Sequence, residues 1–441
     1  MSLVQIQTLK DLSEKDRTSI LRRESLDLDD IIKEVIHPLA AAFEKNAHTA
    51  LREASLRFDK VIPEPMLLTR YHLQQALERV KKSSAKSLEA FFFSMQNIRQ
   101  FHKAQIPTSF DTQIAGNTLG YKFVPFDSAV RYVPDGKALY PSTVMMGVIP
   151  AQIAGVENIL LLSPPEKESG QVSDIVQAVA ALSGVTGILQ AGGAQAVLAA
   201  AYGIPELGIS QADFIYGPGN IYVAAAKNFV AQKNLSGIDS FAGPSEVLII
   251  SDHRSNPYWL AHDLLAQAEH DENSSAILLV TDRDLAQRTS EMLEKAIESR
   301  GTRSHITRAA MQRNGYIFIV DSLQEAVEFS NLYAPEHLEI QTENPLELLP
   351  AIKCAGSIFL GDYAPVAAGD YYTGTNHILP TSSAARYASG VSVQSFYRRV
   401  TWQHITRPGL QAGAAAIEEM SKVEGLFDEH GWSVLARFEE T

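Results

Sequence analysis

A carboxylate and an imidazole stand side by side at Glu336-His337, directly after Ala334-Pro335 and at the head of a short apolar run. Held together, such a pair can divide acid–base work: one group takes a proton from a hydroxyl while the other activates water. On a regular strand, adjacent side chains point to opposite faces. Both reach one substrate only if the proline turn breaks that alternation, and a polar strand entry is the plainer reading. Gln267 and His270 lie three apart in a helical pattern, so they share a face. Imidazole and carboxylate are common zinc ligands and an amide oxygen an uncommon one. With 12 histidines in the chain, isolated pairs of this kind also arise by chance. There is no His-Glu-x-x-His motif and no Cys/His cluster, so a metal site has to be assembled from distant positions, with Asp370, His377 and His430 as further candidates.

Two polar loops look built for contact rather than packing. One is Gly369-Asp370-Tyr371-Tyr372-Thr373-Gly374-Thr375-Asn376-His377; the other is Phe241-Ala242-Gly243-Pro244-Ser245-Glu246, where the Ser245 hydroxyl can hydrogen-bond a ligand. Two glycine turns, Gly192-Gly193-Ala194-Gln195-Ala196 and Gly217-Pro218-Gly219-Asn220, each follow a strand-like run and open a helical one. Glycine lets a phosphate approach the amides at a helix N-terminus, although plain turn geometry explains either turn alone. The usual dinucleotide signature G-x-G-x-x-G is absent.

The elements that must position these residues follow from periodicity. Strands are expected at 158–162, 187–190, 213–216, 247–251, 276–281, 316–320, 337–340 and 357–360, with helices at 194–202, 221–232, 257–269 and 284–300. Such alternation predicts an α/β fold of parallel sheets flanked by helices, with a break near Gly243-Pro244. Residues 1–55 read as a helical arm without a strand-like run. An amphipathic helix at 28–37 carries Leu28, Ile31, Ile32, Val35 and Ile36 on one face, and Pro38 is expected to kink or end it. A further helical stretch is expected at 70–103, and a helical tail after Ser383. Two α/β units of unequal length are expected on either side of that break, between the arm and the tail.

Composition narrows the class. The 441 residues are 45% hydrophobic and 20% charged, ordinary for a globular protein with a sizeable core. A net charge of −13 argues against nucleic acid, whose phosphates call for a basic surface. The single cysteine, Cys354, excludes an internal disulfide and suits a reducing compartment. The most apolar stretch, 144–156, is interrupted by Gly147, Pro150 and Gln152 and is too short to span a bilayer. A soluble cytoplasmic enzyme is expected.

Seven blocks, in order along the chain, resemble the histidinol dehydrogenase family. They are Tyr132-Val133-Pro134 with Lys137-Ala138 and Tyr140-Pro141-Ser142; the two glycine turns, the second continued by Tyr222-Val223 and Ala226-Lys227; Ala242-Gly243-Pro244-Ser245-Glu246; Gln267-Ala268-Glu269-His270-Asp271; Ala334-Pro335-Glu336-His337-Leu338; and Gly369-Asp370-Tyr371 with Gly374-Thr375-Asn376-His377. The resemblance implies two incomplete Rossmann-like lobes, 56–122 with 245–383 bearing the catalytic and metal residues and 123–244 binding nucleotide, with the N-terminal arm (1–55) and C-terminal tail (384–441) crossing to a partner in a domain-swapped homodimer. It implies oxidation of L-histidinol to L-histidine, in histidine biosynthesis, by two hydride transfers to NAD. One zinc ion per subunit would be held by Gln267, His270, Asp370 and His430, the last supplied by the partner. His337 would take the hydroxyl proton and Glu336 would activate water; Ser245, His377 and Glu424 would contact substrate, and Tyr132, Gln195 and Asn220 the nucleotide. Three positions depart from the family's pattern: Asp135 stands where Gly is usual in Val-Pro-Gly-Gly, Val366 where Glu is usual, and the Glu424-to-His430 spacing is one residue longer. Two rivals stay open: a paralogue oxidising another small polar alcohol, and a zinc hydrolase that binds no nucleotide.

Overall fold

The apolar runs do become strands, and they divide between two six-stranded sheets. The computed structural model describes residues 3–23, 28–134, 139–239, 243–299 and 303–439, so Asp135, Lys137, Ala138, Phe241 and Ala242 lie outside the described residues. β1 (Gln5–Thr8) and β2 (Leu67–Thr69) are short strands in a mainly helical stretch, and β3 (Phe110–Ile114) and β4 (Asn117–Pro125) pair antiparallel. β5 (Ser128–Tyr132), β6 (Asn158–Ser163), β7 (Gly187–Gln190), β8 (Phe214–Tyr216) and β9 (Gly237–Ile238) come next. β10 (Glu246–Ser251), β11 (Ser275–Val280), β12 (Gly315–Ile319), β13 (His337–Gln341) and β14 (Ser357–Leu360) form a second series, and β15 (Tyr397–His404) follows late.

The chain forms two compact units, Met1–Gln105 with Asp127–Phe396, and Ile106–Phe126 with Tyr397–Thr441. Both large sheets belong to the first. One has the order β2-β7-β6-β5-β8-β9, parallel except for β2; the other, β1-β12-β11-β10-β13-β14, is parallel throughout. The chain passes from one sheet to the other between Ile238 and Glu246, where Gly243-Pro244 marks the expected break. The second sheet is apolar on both faces, as a parallel sheet covered by helices requires. Val247, Ile249, Leu278 and Ile317 pack on the helices Pro257–Ala268 and Arg283–Ser299, while Leu248, Ile250, Leu279 and Phe318 face the helix Leu323–Tyr333. Against the first sheet lies an alanine-rich layer, Ala194 and Ala196–201 with Ala224–226, whose small side chains let the helices sit close to the strands. The second unit holds the antiparallel sheet β15-β4-β3, the helix Arg407–Val423 and a π-helical turn, Phe427–Gly431.

Several expectations are corrected. The arm is not strand-free: Gln5–Thr8 pairs in parallel with Tyr316–Ile319 as an edge strand, a non-local partnership that four alternating residues do not announce. Residues 56–122 do not join 245–383 in one lobe, because β2 pairs with β7 on the other sheet and β3 and β4 belong to the second unit. The tail is not wholly helical, since Tyr397–His404 is a strand. Seven of its eight residues are exposed, so no apolar alternation marks it. Helical backbone runs through Pro38, which follows the π-helical turn Ile32–Ile36, and the wider turn accommodates a residue that cannot donate a hydrogen bond. The stretch at 70–103 is two helices, Arg70–Ser83 and Ala85–Lys103, separated at Ser84 (φ −148°). Among the described residues, no helix is long and apolar enough to cross a membrane.

Candidate active site

A cleft of about 710 Å³ in the first unit gathers eight of the sequence-derived site residues: Asn220, Ser245, Gln267, His270, Glu336, His337, Asp370 and His377. The two sheets meet it with opposite ends. Pro134 and the Pro218–Asn220 turn follow the carboxyl ends of β5 and β8, where open α/β sheets ordinarily bind ligands. Ser245 and Glu336 precede the amino ends of β10 and β13, and His337 opens β13.

Glu336 and His337 both reach the cleft because the strand's alternation begins only at His337. Ala334 sits in the left-handed region (φ 51°, ψ 66°), so Glu336 lies at the end of a turn. A reciprocal pair of hydrogen bonds then fixes it: Glu246 N donates to Glu336 Oε2 (2.9 Å), and Glu336 N donates to Glu246 Oε2 (3.3 Å). Arg23, from the N-terminal arm, forms an ion pair with the same Glu246 oxygen and lies 3.8 Å over the Tyr333 ring. Burial first, and then the neighbouring charges of Glu246 and Asp370, hold the Glu336 carboxyl well above the usual carboxylate range. His337 Nδ1 lies 2.9 Å from the Glu246 carbonyl oxygen. A carbonyl only accepts, so Nδ1 carries the proton and Nε2 presents its lone pair. Nε2 is buried and, among the described residues, has no hydrogen-bond partner. Burial, reinforced by His270, lowers the His337 pKa to about 4, which keeps the ring neutral and its Nε2 lone pair unprotonated at pH 7. The imidazole and the Glu336 carboxylate are 3.6 Å apart.

Three potential metal donors line the same cleft. Gln267 ends the helix Pro257–Ala268 and His270 lies just beyond it; Asp370 is on the short helix Val366–Tyr371. Gln267 Oε1 is a buried oxygen with no hydrogen-bond partner among the described residues, an arrangement that costs about 1–3 kcal/mol unless something takes the lone pair. His270 is kept neutral by burial, and burial raises Asp370 to about 7, so a cation would relieve both the orphaned oxygen and the buried carboxylate. Amide oxygen, neutral imidazole and carboxylate are a donor set that fits zinc. Among the described residues, no group of three or more His, Cys, Asp or Glu could hold a metal, so the fit depends on the glutamine. His377 bridges the region: its Nδ1 is 3.6 Å from Asp370 Oδ1 and its Nε2 is 2.9 Å from Thr143 Oγ1.

The glycine turns are closed on themselves. Gly192 N donates to Asp59 Oδ2 (3.2 Å), Gln195 Nε2 donates to the same oxygen (3.1 Å), and Gly193 N donates to the Tyr132 hydroxyl (3.0 Å). At the second turn Gly217 N donates to Asp239 Oδ2 (2.7 Å), Lys227 Nζ pairs with that carboxylate, and Asn220 Oδ1 caps the next helix by accepting from Tyr222 N and Val223 N. In this structure these turn amides are held by the Asp59 and Asp239 carboxylates, the Tyr132 hydroxyl and the Asn220 amide oxygen. Tyr132 and Gln195 are buried in this network, behind the cleft surface rather than on it.

Glu424 and His430 lie in the second unit, both exposed. The extra residue between them is taken up by the π-helical turn Phe427–Gly431. Val366 buries its side chain in the apolar core and donates its N–H to Glu339 Oε1 (3.0 Å), so its side chain supplies no polar contact. Sequence reasoning missed Glu246 as the partner of Glu336, although an acid at the head of an otherwise apolar strand was a usable signal. It also missed Arg23 and Arg131, which nothing local marks.

An α/β scaffold that holds a neutral buried imidazole beside a raised carboxyl, with three potential metal donors in the same cleft, fits the class of an oxidoreductase that removes a substrate proton. The sequence model of the histidinol dehydrogenase family matches residues 21–438, and the chain belongs to that family. Histidinol dehydrogenase of Leptospira interrogans (strain Fiocruz L1-130) is 44% identical over 429 residues, 97% of this chain and 98% of that one. That of Methanothermobacter thermautotrophicus is 42% identical over 410 residues, 93% of this chain and 94% of its own. The crystal structure of histidinol dehydrogenase from Elizabethkingia anophelis superposes with a TM-score of 0.91 at 35% identity, covering 99% of this chain and 98% of that one.

Proposed function

We propose that the protein oxidises L-histidinol to L-histidine through the aldehyde, passing two hydrides to NAD, with one zinc ion held by Gln267, His270 and Asp370 of one chain and His430 of a second copy. The observation that carries this reading is the convergence on one cleft of a neutral base with a free Nε2, a raised carboxyl, and a buried amide oxygen with no hydrogen-bond partner. Bound zinc would supply a fixed positive charge that anchors the amine and imidazole nitrogens of the substrate. Bound NAD would accept the hydride from the carbinol carbon.

His337 Nε2 takes the hydroxyl proton as the C–H hydride departs, leaving the aldehyde; the Nδ1 hydrogen bond to the Glu246 carbonyl keeps the ring aimed throughout. Glu336, a stronger base than an ordinary carboxylate, takes a proton from water as its oxygen adds to the aldehyde carbon. His337 then deprotonates the resulting hydrate as the second hydride leaves, giving the carboxylate. The balance is one alcohol, one water and two NAD converted to one carboxylate, two NADH and three protons.

The test is NADH formation by the zinc-loaded protein with L-histidinol against a panel of amino and sulfonated alcohols. Two NADH per L-histidinol is expected. Turnover of another alcohol alone would move the substrate to a paralogue's, and no NADH with any alcohol would leave the hydrolase reading. The shared site has its own test: inactive His430→Ala and His337→Asn chains, mixed under subunit exchange, should regain roughly a quarter of wild-type activity, since one site of each mixed dimer is intact. No recovery despite verified exchange would refute it.

A further inference from the structure

The cleft contains a positive charge that the chemistry above does not use. Arg131, on β5, is fully buried, and among the described residues none of its three guanidinium nitrogens has a hydrogen-bond partner. Alternation along β5 sends Val130 and Tyr132 into the alanine-rich core and Arg131 to the opposite face, where it lines the cleft. Two glycines make room for it. A Cβ at Gly147 would come within 2.8 Å of its Cδ and 2.9 Å of its Nε, and one at Gly217 (φ +114°) would collide with Nη1. The Tyr216 ring lies 5.4 Å from the guanidinium carbon. Asp239 attracts the guanidinium through space but is already engaged by Lys227 Nζ and Gly217 N. A buried guanidinium without an acceptor is costly, and its planar fork matches the paired oxygens of a carboxylate or phosphate. Because the glycine-turn amides are held by Asp59, Tyr132 and Asp239, Arg131 brings donors that those turns do not offer.

We propose that Arg131 anchors an oxyanion subsite in the cleft, binding a carboxylate or phosphate group of the molecule that occupies it. β5 and β8 are the strands at which the order of their sheet reverses, and ligands of open α/β sheets bind at the carboxyl ends of such strands. The group has two sources, the diphosphate of a dinucleotide or the carboxylate of a small acid, and the shared chemistry is the paired oxygens.

The experiment compares wild type with Arg131→Met and Arg131→Lys, reading dissociation constants by calorimetry. The choice of NADH and L-histidine as probes rests on the function proposed above, so inorganic phosphate and acetate serve as independent probes. Phosphate or acetate should bind wild type and be weakened at least tenfold in Arg131→Met, with a smaller loss in Arg131→Lys, which keeps charge without the fork. If Arg131→Met also weakens NADH but not L-histidine, the oxyanion is the diphosphate. If it weakens L-histidine but neither L-histidinol nor NADH, it is the carboxylate. Failure of NADH and L-histidine to bind wild type would count against the proposed function while the inorganic probes still decide the subsite. Arg131→Met removes a buried charge and is expected to fold; should it not, Arg131→Lys alone decides, and unchanged anion binding there overturns the proposal. Equal binding of all four probes by wild type and Arg131→Met overturns it as well.

Discussion

The two sheets treat their shared cleft in opposite ways. Where the first sheet presents its carboxyl ends, the glycine turns are tied off by Asp59, Tyr132 and Asp239. Where the second presents its amino ends, Gln267 Oε1 and His337 Nε2 are buried without partners among the described residues. Native proteins satisfy nearly all buried polar atoms, so an unsatisfied one that lines a cleft is available to a ligand. A rim whose groups hold each other is preorganised but inert; the other rim is costly to leave bare and available to a ligand. Arg131 is the exception on the first rim.

That contrast can be broken most sharply at His337. His337→Asn removes the free Nε2, and kcat should fall about 100- to 10,000-fold while the NADH dissociation constant stays within twofold. A loss below tenfold in steady-state NADH formation would show that another group is the base. Next in size, Glu336→Gln should slow oxidation of the aldehyde to the acid by about 100-fold and spare aldehyde reduction to the alcohol, because water activation belongs to one half-reaction; equal losses in the two assays would mean the roles are misassigned.

A smaller effect comes from linkage. Burial raises Asp370 to about 7, so the advantage of its neutral form is complete below its unfolded value of 3.8 and is lost as pH rises through 7. A cation reverses that penalty, and below pH 7 it must displace the proton. Zinc affinity, read by calorimetry or as a melting-temperature shift, should therefore rise roughly tenfold per pH unit toward pH 7 and level off above it. Burial shifts the His270 imidazole below its usual range, so it competes less than a free imidazole for the proton. A pH-independent affinity between 6 and 8 would remove Asp370 from the ligand set. The smallest effect belongs to the closed rim: Asn220→Ala should cost about 1 kcal/mol of stability in urea titration, the usual loss for a helix cap. A loss above about 3 kcal/mol would mean the turn does more than cap.

Much of the second sheet was legible because its strands are apolar on both faces and punctuated by helices; the expected 247–251 and 357–360 fall at Glu246–Ser251 and Ser357–Leu360. β1 and β15 were not, since one depends on a distant partner and the other exposes nearly every side chain. In the site, Glu336 and His337 stood out by type, but their common reach depends on Ala334 adopting φ 51°, which no residue there requires. The pairing of Glu336 with Glu246 follows from two parallel strands lying side by side, a register that periodicity cannot give. The free guanidinium of Arg131 was invisible for the same reason: a charge in a strand reads as surface until its face is known.

The pairing of β1 with β12 also has a consequence for how the chain is made. Gln5 meets Tyr316, so during synthesis at about 5–20 residues per second the first strand waits on the order of 15–60 s for its neighbour. By then the ribosome has already released every strand of the sheet that carries Arg131, and that sheet is free to form. The emerging protein thus has one sheet free to form while β1 still lacks its partner. Until Gly315–Ile319 appears, Gln5–Thr8 has no native strand to pair with. Its brevity, only four residues with polar Gln5, Gln7 and Thr8, limits how well a stranger can hold it.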